Sequence, residues 1–129
     1  MAAVIPSSSD FLDFWSERRL CTVTTLRSDG TPHVVPMGVV IDPETDTAWA
    51  ITSASSRKAR NLANGGLIAV CCVDGRRWST IEGQAEISSD PDVVAEAERR
   101  YAERYKVPRE NPSRVAIRIT VSKVIGNVS

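Results

Sequence analysis

The residue types best suited to chemistry gather in one stretch, Thr52-Ser53-Ala54-Ser55-Ser56-Arg57-Lys58-Ala59-Arg60-Asn61. An apolar run from Ala48 to Ile51 ends there in small hydroxyl residues, and three cationic side chains follow within four positions. Strand end, hydroxyl loop and helix start in that order build a pocket for an anion, because free backbone N–H groups point outward at a helix start. Arg57 brings a planar fork for phosphate oxygens and Lys58 a mobile point charge. Thr52, Ser53 and Ser56 add hydroxyl donors, and Asn61 follows one turn later. The plainer alternative makes Ser56 an N-cap and Arg57, Lys58 and Arg60 a solvated helix face. Cations in a first helical turn oppose the helix dipole, however, and a nearby anion would relieve that conflict.

Two other positions could act on a ligand. His33 is the single histidine, within Pro32-His33-Val34-Val35-Pro36-Met37-Gly38. An acid–base role for it stands beside a purely structural one. Arg77 precedes Trp78 at a strand start and is a candidate for orienting a carboxylate-bearing substrate, while Trp78 either covers a ring or packs as core. No nucleophilic triad or carboxylate pair appears. One histidine and no Cys-x-x-Cys pair leave no metal site to expect. Cys21, Cys71 and Cys72 are odd in number, and adjacent residues of a strand face opposite ways. They are expected as free, buried thiols in a reducing, cytoplasmic compartment.

The elements that must position these groups follow from periodicity and turn chemistry. Ser9-Asp10 opens a helix to about Arg18, with Phe11, Leu12, Phe14 and Trp15 as an aromatic stripe laid on a sheet. Leu20–Leu26 and Pro32–Ile41 read as a hairpin about Ser28-Asp29-Gly30. Pro36 and Gly38 within the second strand point to a side that faces a cavity. Thr47–Thr52 is a third strand, followed by a helix from Ser56 to Ala63 that Asn64-Gly65-Gly66 stops. Leu67–Val73 is nearly continuous in apolar residues, which predicts a central strand covered on both faces. Arg77–Ser88 should turn Ser79, Ile81, Gly83, Ala85 and Ile87 inward. Asp90-Pro91 starts a second long helix with Val93, Val94, Ala97, Tyr101 and Tyr105 on its apolar side. Lys106–Pro112 connects it to a last strand reaching about Ile125. Six strands in consecutive hairpins with helices between them predict a mainly β, α+β domain: a small antiparallel barrel with flanking helices.

The whole chain narrows the function classes. At 129 residues and 42% apolar content it holds one domain, residues 1–129, with material for a core. Zero formal net charge and no long basic run argue against nucleic acid as a partner. No apolar stretch approaches the ~20 residues of a membrane span, and Met1–Asp10 lacks the pattern of a signal peptide. A small-molecule ligand is the remaining expectation.

The chain resembles the flavin-binding split-barrel family typified by pyridoxamine 5′-phosphate oxidase. The likeness runs from the first helix to the last strand and is most specific at Thr52 with Ser56-Arg57-Lys58, and at Arg77-Trp78-Ser79-Thr80-Ile81-Glu82-Gly83. It implies a six-stranded antiparallel split barrel acting as a homodimer. It also implies that Thr52, Ser53, Ser56, Arg57, Lys58 and Asn61 hold the cofactor's anionic end. His33, Val34, Val35, Pro36, Met37 and Gly38 would run along the tricyclic ring. Gly75, Arg76, Arg77 and Trp78 would form the other wall, reaching the neighbouring subunit's cofactor in the dimer.

Departures from the oxidase itself place the chain nearer the deazaflavin branch of the family. It is much shorter, has no extension past Ser129 to supply substrate-phosphate residues, and carries Trp78 where the oxidase has a flavin-contacting Gln. Thr24-Thr25-Leu26-Arg27, Pro32-His33-Val34-Val35 and Asp74-Gly75-Arg76-Arg77-Trp78 look closest to the F420-dependent biliverdin reductase type. The implied cofactor is coenzyme F420, with FMN as the alternative, and the implied activity is hydride transfer to a conjugated acceptor such as biliverdin. The rivals are an FMN-dependent oxidase-like enzyme and a non-catalytic carrier of flavin, deazaflavin or haem-like ligands.

Overall fold

A computed structural model describes residues 3–129. Three helices, α1 (Ser9–Ser16), α2 (Arg57–Asn61) and α3 (Pro91–Arg104), accompany seven strands. These are β1 (Cys21–Leu26), β2 (Pro32–Met37), β3 (Val40–Asp42), β4 (Thr47–Ser53), β5 (Gly66–Asp74), β6 (Arg77–Ser88) and β7 (Arg114–Gly126). They form one antiparallel sheet in the order β2-β1-β5-β6-β7-β4-β3. Among the described residues no helix is long and apolar enough to cross a membrane.

The strand count is seven rather than six because the run Pro32–Ile41 breaks at Gly38-Val39. The first half pairs with β1 at one edge of the sheet and the second half with β4 at the other. Two edges joined by so short a link must lie close together, so the sheet curls into a split barrel. The hairpin expectation also needs amending, since β1 pairs with β5 and β4 with β7 across long stretches of chain.

Packing explains these boundaries. Ser8 accepts the Phe11 amide at 3.2 Å and caps α1, which buries Phe11, Phe14 and Trp15. Each such burial stabilises by about 1.5–3 kcal/mol. The helix stops at Ser16, short of Arg18, because the Arg19 guanidinium takes the Phe14 carbonyl at 2.7 Å and satisfies its last turn. Trp15 plugs the barrel and donates from Nε1 to the buried Ser79 Oγ at 3.0 Å. The inward set of β6 is Ser79, Ile81, Gly83 and Ala85, as the alternation predicts. Gly83 is obligatory, since a Cβ there would overlap the Thr120 carbonyl at the β6–β7 bulge.

The expectation for β5 is only half right. It is central in the sheet and buries Ile68, Val70 and Cys72, but its other face is open: Leu67 is 60% and Val73 57% exposed. Ladder partners share a face. The pairs Thr24↔Val34, Thr24↔Ala69, Val73↔Trp78 and Thr80↔Ile125 therefore place Val34, Leu26, Leu67, Val73, Trp78 and Ile125 on one outer surface. All six are exposed.

Candidate cofactor site

The Ser53–Ser56 turn at the end of β4 lies between two concavities. Ser56 caps α2 by accepting the Ala59 amide at 3.1 Å and also takes the Thr52 hydroxyl at 3.0 Å. The segment is thus the N-cap of the plain reading, and its cations remain free. Arg57, Lys58 and Arg60 enter no ion pair among the described residues. Asn61 is committed elsewhere, donating at 2.9 Å to the hydroxyl of buried Thr25 and tying α2 to β1. The smaller concavity, about 530 Å3, is bordered by Arg57, Arg60 and Asn61 and by Arg27 at the end of β1.

His33 belongs to this cationic corner. It sits opposite Thr25 in the β1–β2 ladder, and its Nδ1 is buried without a partner. Desolvation first, then the charges of Arg27, Lys58 and Arg57, hold its pKa below the ordinary histidine value. Among the described residues none of these cations is in an ion pair, although Asp29 feels the charge of Arg27. A corner with unpaired cations, a neutral imidazole and an orphaned ring nitrogen fits a phosphate or carboxylate group. Arg27 has no role that the local sequence around it discloses. The hairpin register was its signal, because a two-stranded ladder brings the residue after Leu26 beside the start of β2.

The larger cavity, about 670 Å3, lies between the end of β4, the β2–β3 break and the α3–β7 connection. Met37, Gly38, Ile51, Thr52 and Ser53 border it from the barrel. Across it stand Lys106, Arg109 and Arg114, of which Arg114 is neutralised by Glu98 at 2.7 Å. Asn111 fastens this connection by donating to Ser53 Oγ at 3.0 Å, and the Ala54 amide donates to the Ser113 carbonyl at 2.8 Å. In the sequence Lys106–Pro112 reads as a connection only; nothing in its spacing marks it as a cavity wall.

The β2 residues divide by face. His33, Val35 and Met37 are turned toward the protein, while Val34 and Pro36 lie on the exposed outer surface. Pro36 is tolerated because β2 is an edge strand paired only with β1. Gly38 owes its small size to the tyrosines of α3, which fill the space a side chain would need.

Gly75, Arg76, Arg77 and Trp78 stand apart from both cavities of this chain. They form the β5–β6 turn and the start of β6, with Gly75 at φ +62°. Arg77 pairs with Asp10 at 2.8 Å and lies over the Phe14 ring. Trp78 shows its indole at the outer surface while its amide donates to Asn127 Oδ1 at 2.8 Å. Among the described residues no group of three or more His, Cys, Asp or Glu is placed to hold a metal.

Known proteins share this architecture. The F420H2-dependent biliverdin reductase of Mycobacterium tuberculosis is 48% identical over 120 residues, covering 93% of this chain and 88% of that protein. A conserved hypothetical protein of the same organism superposes with a TM-score of 0.77 at 26% identity, over 98% of this chain and 87% of the other. An F420 reductase superposes with a TM-score of 0.72 at 22% identity, over 94% and 98%, a likeness of fold. The sequence profile of pyridoxamine 5′-phosphate oxidase matches residues 8–127. With that match spanning nearly every element just described, the chain belongs to the pyridoxamine 5′-phosphate oxidase family.

Proposed function

We propose that this protein is an F420-dependent reductase that passes a hydride from the reduced deazaflavin to a conjugated acceptor, with biliverdin or a similar tetrapyrrole as first candidate. The observation that carries this reading is the corner formed by Arg27, His33, Arg57, Lys58 and Arg60, which gathers positive charge free of ion pairs around a concavity. The identity with the mycobacterial F420H2-dependent biliverdin reductase supports the same cofactor.

In this reading Arg57 and Lys58 hold the phosphodiester of the coenzyme, and Arg27 and Arg60 its acidic tail. Thr52, Ser53 and Ser56 offer hydroxyls, and the inward residues His33, Val35 and Met37 of β2, with Gly38 after them, line the ring. Bound F420 would supply the hydride; the protein orients, excludes water and sets the field. The acceptor occupies the larger cavity against Met37 and Ile51. Lys106 and Arg109, neither of them in an ion pair among the described residues, face its carboxylates.

A second copy of the chain covers the outer surface that carries Leu26, Val34, Leu67, Val73, Trp78 and Ile125, a cluster of exposed apolar side chains that a partner would cover. That homodimer brings Arg77 and Trp78 to the neighbouring subunit's cofactor. Three unpaired cysteines suit a reducing, cytoplasmic setting.

Titration of the purified protein with F420 and FMN side by side tests the cofactor: tight FMN retention without F420 binding overturns the reading. Stopped-flow oxidation of reduced F420 across a panel of acceptors tests the chemistry, and binding without turnover would leave a carrier instead.

A further inference from the structure

Arg104, the last residue of α3, is 5% exposed and meets no carboxylate among the described residues. Its Nε donates to the Glu17 carbonyl at 2.9 Å and its Nη1 to the Val39 carbonyl at 2.6 Å. The rest of the guanidinium faces two thiols, with Nη2 3.3 Å from Cys72 Sγ and Nη1 3.7 Å from Cys21 Sγ. The two sulfurs are 3.4 Å apart and both residues are buried. A guanidinium stays charged inside a protein, and burying it without a counter-charge is costly. Among the side chains it bonds, only the thiols can become negative. The arrangement suits Arg104⁺ beside a Cys72 thiolate that accepts from the Cys21 S–H. The hydrogen bond from Cys21, then Arg104, pulls the Cys72 pKa down against burial, and the same bond with burial pushes that of Cys21 up.

We propose that Cys21 and Cys72 are a peroxide-oxidisable dithiol, and that closing their disulfide unfastens the α3 wall of the larger cavity. The pair lies one step along the β1–β5 ladder from Thr22↔Cys71, so the side chains stand directly opposite each other. Approach by roughly 1.4 Å brings the sulfurs to bonding distance. A cavity of about 160 Å3, bordered by Trp15, Val40 and Arg104, is large enough for a peroxide molecule and reaches the side of Arg104.

The Cys72 thiolate attacks hydrogen peroxide: an S–O bond forms, the O–O bond breaks, and the departing hydroxide takes a proton to become water. The Cys21 thiol then attacks the sulfenic sulfur, forming S–S and breaking S–O, and its proton leaves with the hydroxyl as a second water. Two electrons pass from the sulfurs to peroxide. Arg104 loses its counter-charge in the exchange. The contacts that depend on it are the bond to Val39 and the seating of Tyr105, whose hydroxyl accepts the Val39 amide at 3.1 Å.

Peroxide treatment of the full chain, followed by intact mass and peptide mapping, tests the assignment. The expected result is a loss of about 2 Da, one thiol left of three, a Cys21–Cys72 link, and faster hydrogen exchange at the Val39 amide. Cys71 is the internal control, since it is the less buried thiol. Oxidation confined to Cys71, or a link that includes it, overturns the proposal. Unchanged exchange at Val39 in the oxidised protein overturns the coupling to the wall. Cys21→Ser should stop the reaction at a Cys72 sulfenic acid that dimedone traps; absence of the adduct counts against the thiolate. Arg104→Lys, if folded by circular dichroism, keeps the charge but loses the fork and should slow oxidation about tenfold through a smaller thiolate fraction.

Discussion

Gly38 and Tyr105 occupy one another's space: a Cβ at residue 38 would stand 2.7 Å from Tyr105 Cε2 and 3.0 Å from Tyr101 Cε2. The two tyrosines stack at 4.8 Å between centroids, and the Tyr105 hydroxyl donates to the Arg19 carbonyl at 2.9 Å. The point where the barrel splits is therefore clamped by the end of α3. Gly38→Ala should push Tyr105 off its bonds and cost about 1–3 kcal/mol by overpacking. Thermal unfolding of Gly38→Ala beside Tyr105→Phe checks this. A melting temperature unchanged in Gly38→Ala would show that the rings move freely.

The anion corner separates binding from stability. Among the described residues the Lys58 side chain is in no ion pair, so Lys58→Ala should leave the melting temperature nearly unchanged. A charge-assisted bond to a phosphate contributes about 1.5–3 kcal/mol, so F420 affinity should fall at least about tenfold. Calorimetric titration of both proteins decides; equal affinity removes Lys58 from the site.

His33 gives the corner a pH dependence whose sign follows from its lowered pKa. Above about pH 6.5 the ring is neutral folded and unfolded, and contributes nothing to the difference. As pH falls below that, the unfolded chain takes a proton that the folded chain resists, so stability drops. A bound anion offsets the field of Arg27, Lys58 and Arg57 and raises the His33 pKa. F420 binding should then take up a proton and tighten as pH falls from neutrality. One histidine makes the NMR titration unambiguous: an imidazole pKa equal with and without ligand would exclude His33 from contact.

What the sequence disclosed depended on how local the cause was. Ser56 and Asp90 act within a turn of their helices, whereas the cap of α1 is Ser8, one residue before the expected Ser9-Asp10 start. The inward set of β6 is a two-residue period, and the Ser56-Arg57-Lys58 cluster is contiguous. The break at Gly38 was not legible, because its cause is Tyr105, 67 positions further on. Arg104 escaped for the same reason: within α3 it reads as a cation in a last turn, yet it is buried against β1, β5 and the β2–β3 link. The cavity wall at Lys106–Arg114 was hidden because only tertiary bonds such as Asn111 to Ser53 bring it over the end of β4.

The exposed outer surface allows the role of Arg77 and Trp78 to be tested without touching either. Val73 lies on that surface, on the open face of β5, and borders neither the anion corner nor the larger cavity. Val73→Glu places a charge in any symmetric contact there, and a like charge in the copy opposite. The substituted strand stays solvated in a monomer, so folding should survive while association fails. Sedimentation velocity should then show a monomer where the parent is a dimer. If Arg77 and Trp78 work on the neighbouring subunit's cofactor, the monomer keeps Arg57 and Lys58 and still binds the anionic tail, but loses turnover. A monomer with full turnover would confine Arg77 to its bond with Asp10, and a parent already monomeric would leave the apolar surface for another partner.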